Sequence, residues 1–268
     1  MNEAAKATLS KVPEVTLGFW IIKILATTIG ETGGDAVTMS WLHADKNAHN
    51  GGYLIGVGIF LGVFIAAVIA QIAMRKFNPV IYWLTIVATT TLGTAMADFA
   101  DRSLGIGYVG GSSLLLALLL ASLLVWRWRE GTVSVNTVTT PRVEAFYWTA
   151  ILFSQTLGTA LGDWMADTNG LGFGNSALLF GAALLVLAAA YFLTDISRVF
   201  LFWAAFILTR PLGATLGDLL DKPIAHGGFA FSRLTATALL AAAMIVLILV
   251  IPQRPGLHPG APAEAPAE

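Results

Sequence analysis

The sequence contains no cysteine. Disulfides, thiol nucleophiles, iron–sulfur clusters and cysteine-ligated zinc are therefore excluded, and the redox compartment is left open. Charge is almost as scarce, with 12% of residues Asp, Glu, Lys or Arg, roughly half the ~25% of an ordinary soluble domain. The charges balance at 15 basic against 16 acidic residues, a formal net of -1. No basic face exists to neutralise phosphates, so a nucleic-acid partner is excluded. What the chain has in abundance is apolar surface: 56% of its 268 residues are hydrophobic and the mean hydropathy is +0.76. Such a composition describes a polytopic membrane protein.

A helix crossing ~30 Å of hydrocarbon needs about 20 apolar residues. Eight windows of that kind occur, at 15–39, 52–74, 79–101, 104–126, 143–166, 171–193, 198–220 and 228–251. Residues 1–12 are polar and lack the apolar core and cleavage site of a signal peptide, so the first span is expected to stay attached. The stretch 252–268 is rich in Pro, Ala and Glu and is expected to bury nothing, as a disordered cytoplasmic tail. Nine basic residues fall on the side of the N-terminus (Lys6, Lys11, Arg75, Lys76, Arg127, Arg129, Arg142, Arg198, Arg254) and four on the other (Lys46, Arg102, Lys222, Arg233). The positive-inside rule places both termini in the cytoplasm.

The odd-numbered windows align with one another without a gap, as FWIIKILATTIGETGGD, YWLTIVATTTLGTAMAD, YWTAILFSQTLGTALGD and FWAAFILTRPLGATLGD. Each opens on an aromatic followed by Trp (Trp20, Trp83, Trp148, Trp203), places Gly ten residues later (Gly30, Gly93, Gly158, Gly213) and Asp five beyond that (Asp35, Asp98, Asp163, Asp218). The following window repeats more loosely, opening with Gly and an aromatic at Gly52, Gly107, Gly172 and Gly228. The fold expected is an all-α membrane protein of eight transmembrane helices in four parallel two-helix repeats, at 13–75, 76–130, 131–194 and 195–251.

Each repeated residue type carries an expectation. The aromatic–Trp pairs suit the headgroup belt, where an amphipathic ring finds both an apolar body contact and a wet edge. The glycines form G-x-x-x-G or small-x-x-x-small pairs, which let helix backbones approach closely. An alternative is that they and the flanking Thr27, Thr28, Thr90, Thr91 and Thr156 loosen the helices and expose carbonyls to an ion, with Pro211 breaking the fourth. Beside the four aligned aspartates stand Glu31, Asp101, Asp167 and Asp221, so eight acids lie near one end of the odd helices. A carboxylate in the membrane is costly, and the bases at that level (Arg102, Lys222, Arg210, Arg233) look too few to balance them. A bound cation, protonation or outside water makes up the difference. Hard oxygen ligands suit Mn²⁺, Mg²⁺, Ca²⁺ or protons. For Asp101, Asp167 and Asp221 a plain role in a cap or loop competes with a role in the site.

Lys23 is expected to snorkel to the cytoplasmic interface. Arg210, near mid-depth, is expected to pair with a carboxylate of a neighbouring repeat, as a tethered cation filling an acidic site in the empty state. His43, Asp45 and His49 in one loop, and His226 in another, are candidate metal-recruiting residues or simple loop residues.

Residues 11–254, through the segments KVPEVTLGFWIIKILATTIGETGGDA, MADFADRSLGIGYVGGS and FWAAFILTRPLGATLGDLLDKPIAHGG, resemble an uncharacterised family of bacterial integral "membrane-anchored" proteins. The resemblance implies an eight-span protein of the bacterial cytoplasmic membrane and supplies no substrate or site residue. From the residues themselves the expectation is a transporter of a small cation, Mn²⁺-type and exchanged against protons, with metal ligands Asp35, Asp98, Asp163, Asp218, Glu31, Asp101, Asp167 and Asp221 supported by Arg210, Gly30, Gly93, Gly158 and Gly213. No enzymatic activity and no cofactor beyond the bound cation are expected. The partners expected are the bilayer and the ion, and a homo-oligomer is left open. A membrane-anchored scaffold or regulator that transports nothing is the alternative, and an intramembrane aspartyl dyad is a distant third.

Overall fold

The computed structural model describes residues 9–44, 51–103 and 107–257. Asp45, Lys46 and His49, the start of the N-terminal segment and the end of the tail lie outside them. Eight long α-helices run through the described residues: α1 (Leu17–Asp35), α2 (Gly52–Ala73), α3 (Pro79–Asp98), α4 (Tyr108–Glu130), α5 (Pro141–Asp163), α6 (Gly172–Leu193), α7 (Arg198–Asp221) and α8 (Arg233–Val250). Every odd helix starts on a side-chain cap: Thr16, Asn78, Thr140 and Ser197 each accept from the backbone N–H three residues on. Pro79 and Pro141 then occupy first-turn positions where no N–H is missed. The even helices have no such cap, and α4 and α6 open on glycines at positive φ, Gly107 at 75° and Gly172 at 72°. Those two positions explain half of the loose glycine repeat, because an L side chain is strained there.

The odd helices form a closed ring in which α1 packs on α3, α3 on α5, α5 on α7 and α7 back on α1. Each even helix packs outside the ring, against the odd helix of the following repeat: α2 on α3, α4 on α5, α6 on α7, and α8 on α1. The repeats are thus interleaved, and the last helix closes the circle against the first. Among the described residues six helices are long and apolar enough to cross a membrane, and the protein is a membrane protein: α2, α3 extended to Asp101, α4, α6, α7 and α8. The even members bury 11–17% of their most apolar stretch against the protein, whereas α3 and α7 bury 72% and 61%. Helices α1 and α5 fall short of that hydropathy because their inward faces carry Lys23, Thr27, Thr28 and Glu31, and Ser154, Gln155, Thr156 and Thr159, all buried in the ring.

Glycine ladders hold the ring. A β-carbon on Gly30 would lie 2.3 Å from Cβ of Thr90, one on Gly93 3.0 Å from Cβ of Gln155, one on Gly158 2.4 Å from Cβ of Arg210, and one on Gly213 2.6 Å from Cβ of Thr27. In every case the residue met is the one three places before the glycine of the next repeat, so the contact cycles four times round one axis. The close approach expected of the glycines is therefore present. The carbonyls it brings together are satisfied across the interface, by Thr90 Oγ1 on Ala26, Thr27 Oγ1 on Thr209 and Thr94 Oγ1 on Gly30.

One end of the ring is shut by aromatic side chains, which corrects the headgroup-belt expectation. The first aromatic of each repeat packs, tilted or edge-on, against the Trp of the next: Phe19 on Trp83 (5.4 Å), Tyr82 on Trp148 (5.8 Å), Tyr147 on Trp203 (6.3 Å) and Phe202 on Trp20 (5.6 Å between centroids). Trp83, Trp148 and Trp203 are buried. These rings lie at the start of the inward face, so interhelical ring packing takes the place of lipid contact. A two-stranded antiparallel sheet, β1 (Leu9–Pro13) with β2 (Pro255–Leu257), sits over this end. The expectation that the tail from Pro252 buries nothing is thereby corrected for 252–257: Gln253 Oε1 accepts from Trp83 Nε1 at 3.0 Å, and Arg254 O accepts from Glu14 N. The sheet's Lys11 is buried and pairs with Glu144 of α5.

Candidate functional site

From each first aromatic, an i,i+4 row runs along the inward face of the odd helix. The four rows are Phe19, Lys23, Thr27, Glu31, Asp35; Tyr82, Ile86, Thr90, Thr94, Asp98; Tyr147, Ile151, Gln155, Thr159, Asp163; and Phe202, Phe206, Arg210, Ala214, Asp218. All twenty are buried. Because the repeats are in register, these positions stack as five layers, aromatic at one end and carboxylate at the other.

The carboxylate layer is neither empty of bases nor uniform. Lys222, just beyond α7, sets its Nζ 2.6 Å from Asp35 Oδ2 and 2.9 Å from Asp218 Oδ1, bridging the fourth repeat to the first. Arg233, at the start of α8, lies 3.4 Å from Asp221 Oδ2 and 3.9 Å from Asp35 Oδ2. The judgement that bases were too few is corrected to this extent, since each of the two serves more than one acid. Even so, Glu31, Asp35 and Asp218 converge: among the described residues they are the set whose carboxylate oxygens lie within 4.8 Å of one another, all buried. Three carboxylates at that spacing, with Lys222 across two of them, can surround a hard cation. Asp98 and Asp163 are 2% and 4% exposed in the same layer.

Directly after the aspartate, three odd helices widen into a π-helical turn, at Ala36–Trp41, Phe99–Ser103 and Trp164–Thr168. Such turns are rare and recur at functional positions. Asp101 lies half-buried on the second, facing Gly111 of α4. Asp167 lies on the third and is exposed, outside the cluster. In the fourth repeat the α-helix instead continues to Asp221, which is buried.

One layer inward, Arg210 crosses the axis as a side chain with no exposure. Its Nη2 donates to Glu31 Oε2 at 2.8 Å, Thr94 Oγ1 at 2.6 Å and Thr159 Oγ1 at 2.6 Å, and its Nη1 to Thr27 O at 3.2 Å. Glu31, Thr94, Thr159 and Ala214 share one offset, one residue past the repeat glycine. The expected pairing of Arg210 with a carboxylate of another repeat is present. Helix α7 runs unbroken through Pro211, which corrects the expected break, since the ring packs that turn tightly against Gly158. In the layer of Arg210 the network is incomplete: Gln155 is fully buried, and neither its amide nitrogen nor its amide oxygen has a hydrogen-bond partner among the described residues, nor has Arg210 Nε. An unmet buried polar group costs about 1–3 kcal/mol.

Lys23 does not snorkel. It lies on the inward row, fully buried, with Nζ 4.1 Å from the centroid of Phe206 and 3.4 Å from Thr209 Oγ1, and no carboxylate pairs with it among the described residues. His43 and His226 stay apart from the acid cluster among the described residues. Sequence reasoning passed over Thr94, Thr159 and Gln155, although the gapless alignment contained the signal: they occupy the offsets of Glu31 and Arg210 in other repeats.

The chain matches the family described as Repeat of Unknown Function (DUF347) four times over, at residues 18–77, 81–132, 146–197 and 201–252, and it belongs to that family. No curated protein and no solved structure matches it. The four matched stretches coincide with the four odd–even helix units of the ring.

Proposed function

We propose that this member of the repeat family is a transporter of a small cation in the bacterial cytoplasmic membrane. All eight helices would cross the bilayer, with α1 and α5 shielded from lipid by their neighbours and both termini on the cytoplasmic, aromatic side. The observation that carries the reading is the convergence of Glu31, Asp35 and Asp218 beneath a lysine. Lys222 stands in for the cargo, and an arriving cation displaces it from Asp35 and Asp218 as the ammonium swings out on its flexible stem. Oxygen-only ligands of high negative charge favour a hard divalent ion such as Mn²⁺, Mg²⁺ or Ca²⁺, exchanged against protons on the same carboxylates. Asp98 and Asp163 complete the acidic vestibule, and carboxylate rings of this kind select cations.

The test is flux through purified protein in liposomes loaded with a metal-sensitive dye, for wild type and for single Asp→Asn changes at 35, 98, 163 and 218. Asp35→Asn and Asp218→Asn should abolish uptake of the divalent ion. Undiminished flux in all four variants overturns the site. A scaffold or regulator that transports nothing is the second reading, and the closed aromatic collar beneath Arg210 favours it. It predicts no flux in wild type, and variants that differ in stability alone.

A further inference from the structure

The nitrogen at the centre of the ring is over-provided with acceptors. Arg210 Nη2 carries two hydrogens, which lie in the guanidinium plane, yet three oxygens from three helices surround it at 2.6, 2.6 and 2.8 Å. The fourth member of the layer, Ala214, contributes neither an oxygen nor bulk. Two linear bonds cannot serve three acceptors, whereas a spherical ion serves all of them. One carboxylate and two hydroxyls supply a single negative charge. The second observation lies one layer from the cage, in the register of Arg210. Gln155, at the offset of Arg210 in the preceding repeat, is fully buried with an amide oxygen that no described residue engages, and Arg210 Nε is likewise unengaged.

We propose that Glu31, Thr94 and Thr159 form a mid-bundle site for a monovalent cation, occupied in this state by the Nη2 of Arg210, and that the Gln155 amide oxygen is the acceptor to which the guanidinium withdraws when the ion enters. The site shares Glu31 with the outer cluster but adds Thr94 and Thr159, and its existence does not depend on Asp35 and Asp218 carrying a divalent ion.

The experiment measures binding without flux. Purified Arg210→Ala and Arg210→Gln variants are titrated with K⁺, NH₄⁺ and methylguanidinium at constant ionic strength against N-methylglucamine, and thermal unfolding is followed. Arg210→Gln keeps a polar chain over Gly158 and serves if the alanine variant does not fold. Either variant should gain a saturable rise in Tm of roughly 4 °C or more at millimolar ion, with no such rise in wild type over that range. Adding Glu31→Gln or Thr94→Val should remove it. A Tm that does not respond in the single variants, or a response that survives Glu31→Gln, overturns the proposal. Loss of divalent flux in the outer aspartate variants leaves this result untouched, so the two readings fail separately.

Discussion

Replacing the repeat glycines with alanine should destabilise the ring in an order set by how closely the added β-carbon meets the next helix. At Gly30 the new β-carbon falls 2.1 Å from Thr90 Oγ1 and 2.3 Å from its Cβ, against a van der Waals optimum of about 3.5–4.0 Å. The atoms met are rooted on the backbone of α3, so the two helices must part by about 1 Å. Separation also strains the bond from Thr90 Oγ1 to Ala26 O, 3.2 Å in length. Overpacking of this kind costs about 1–3 kcal/mol, and a lost interhelical hydrogen bond adds about 0.6 kcal/mol. The helix propensity of alanine returns up to about 1 kcal/mol. The net expectation is a loss of about 1–3 kcal/mol at Gly30, and a similar loss at Gly158 and Gly213. Gly93→Ala should cost less, because its nearest neighbours stand at 3.0 Å. Gly62 and Gly181 have no atom within 4 Å of the added carbon, so alanine there should be neutral or stabilising by up to about 1 kcal/mol. Reversible unfolding in mixed micelles measures the series. If Gly30→Ala and Gly213→Ala prove as stable as Gly62→Ala, the helices do not meet through these glycines and the ring is wrong.

Three further outcomes are expected. Lys11→Met leaves Glu144 buried without its base and should cost about 3–5 kcal/mol; adding Glu144→Gln should recover part of that in the same unfolding assay. Lys23→Met removes a buried ammonium that has no carboxylate partner among the described residues and keeps its volume, so it should raise stability by about 1 kcal/mol or more; a clear loss would mean that Lys23 has a charged partner. Deleting residues 252–268 removes β2 and the acceptor for Trp83 Nε1, and should lower stability by about 1–2 kcal/mol while shifting the tryptophan emission, which fluorescence during the melt reports.

The helix order, the fourfold repeat and the glycine contacts were legible because they are written in periodic offsets that one alignment exposes. The cage residues were legible in the same way, but Thr94 and Thr159 look like ordinary helix-packing threonines until Arg210 reaches them across the axis. What local pattern cannot carry is which neighbour a helix chooses. Nothing in the composition of α2 says that it leaves α1 to pack on α3. The aromatic collar was misplaced for a related reason: Trp near a helix start suits lipid headgroups and a sealed bundle end equally well, and only the i,i+4 row through Phe19, Lys23 and Thr27 separates the two. Lys23 was misread by depth alone, although its row points it at the axis. The tail was misjudged because 252–257 buries little by itself and is held by partners at β1 and Trp83.

A ring made by duplication faces a constraint that explains where its repeats diverge. Beyond the aromatic layer, whose rings pack against the Trp of the next repeat, any side chain on the inward row recurs around one axis, so a long flexible residue kept in all four copies would collide with itself and a charged one would repel its own kind. Short residues can be repeated, and Thr or Ala fills three of the four positions in the Glu31 layer. A single Arg fits the layer of Thr27, Thr90 and Gln155 because the other three are shorter, and it reaches into the next layer, whose fourth member is the small Ala214. Aspartate alone survives in every copy, at the end where Lys222 and Arg233 approach from outside the ring. Both the guanidinium and the bridging lysine belong to the fourth repeat, and the glutamate and the aspartate they reach belong to the first. Charge chemistry is thereby concentrated at the seam where the chain closes on itself. The second and third repeats contribute hydroxyls to that seam, and their own aspartates, Asp98 and Asp163, lie in the same buried layer.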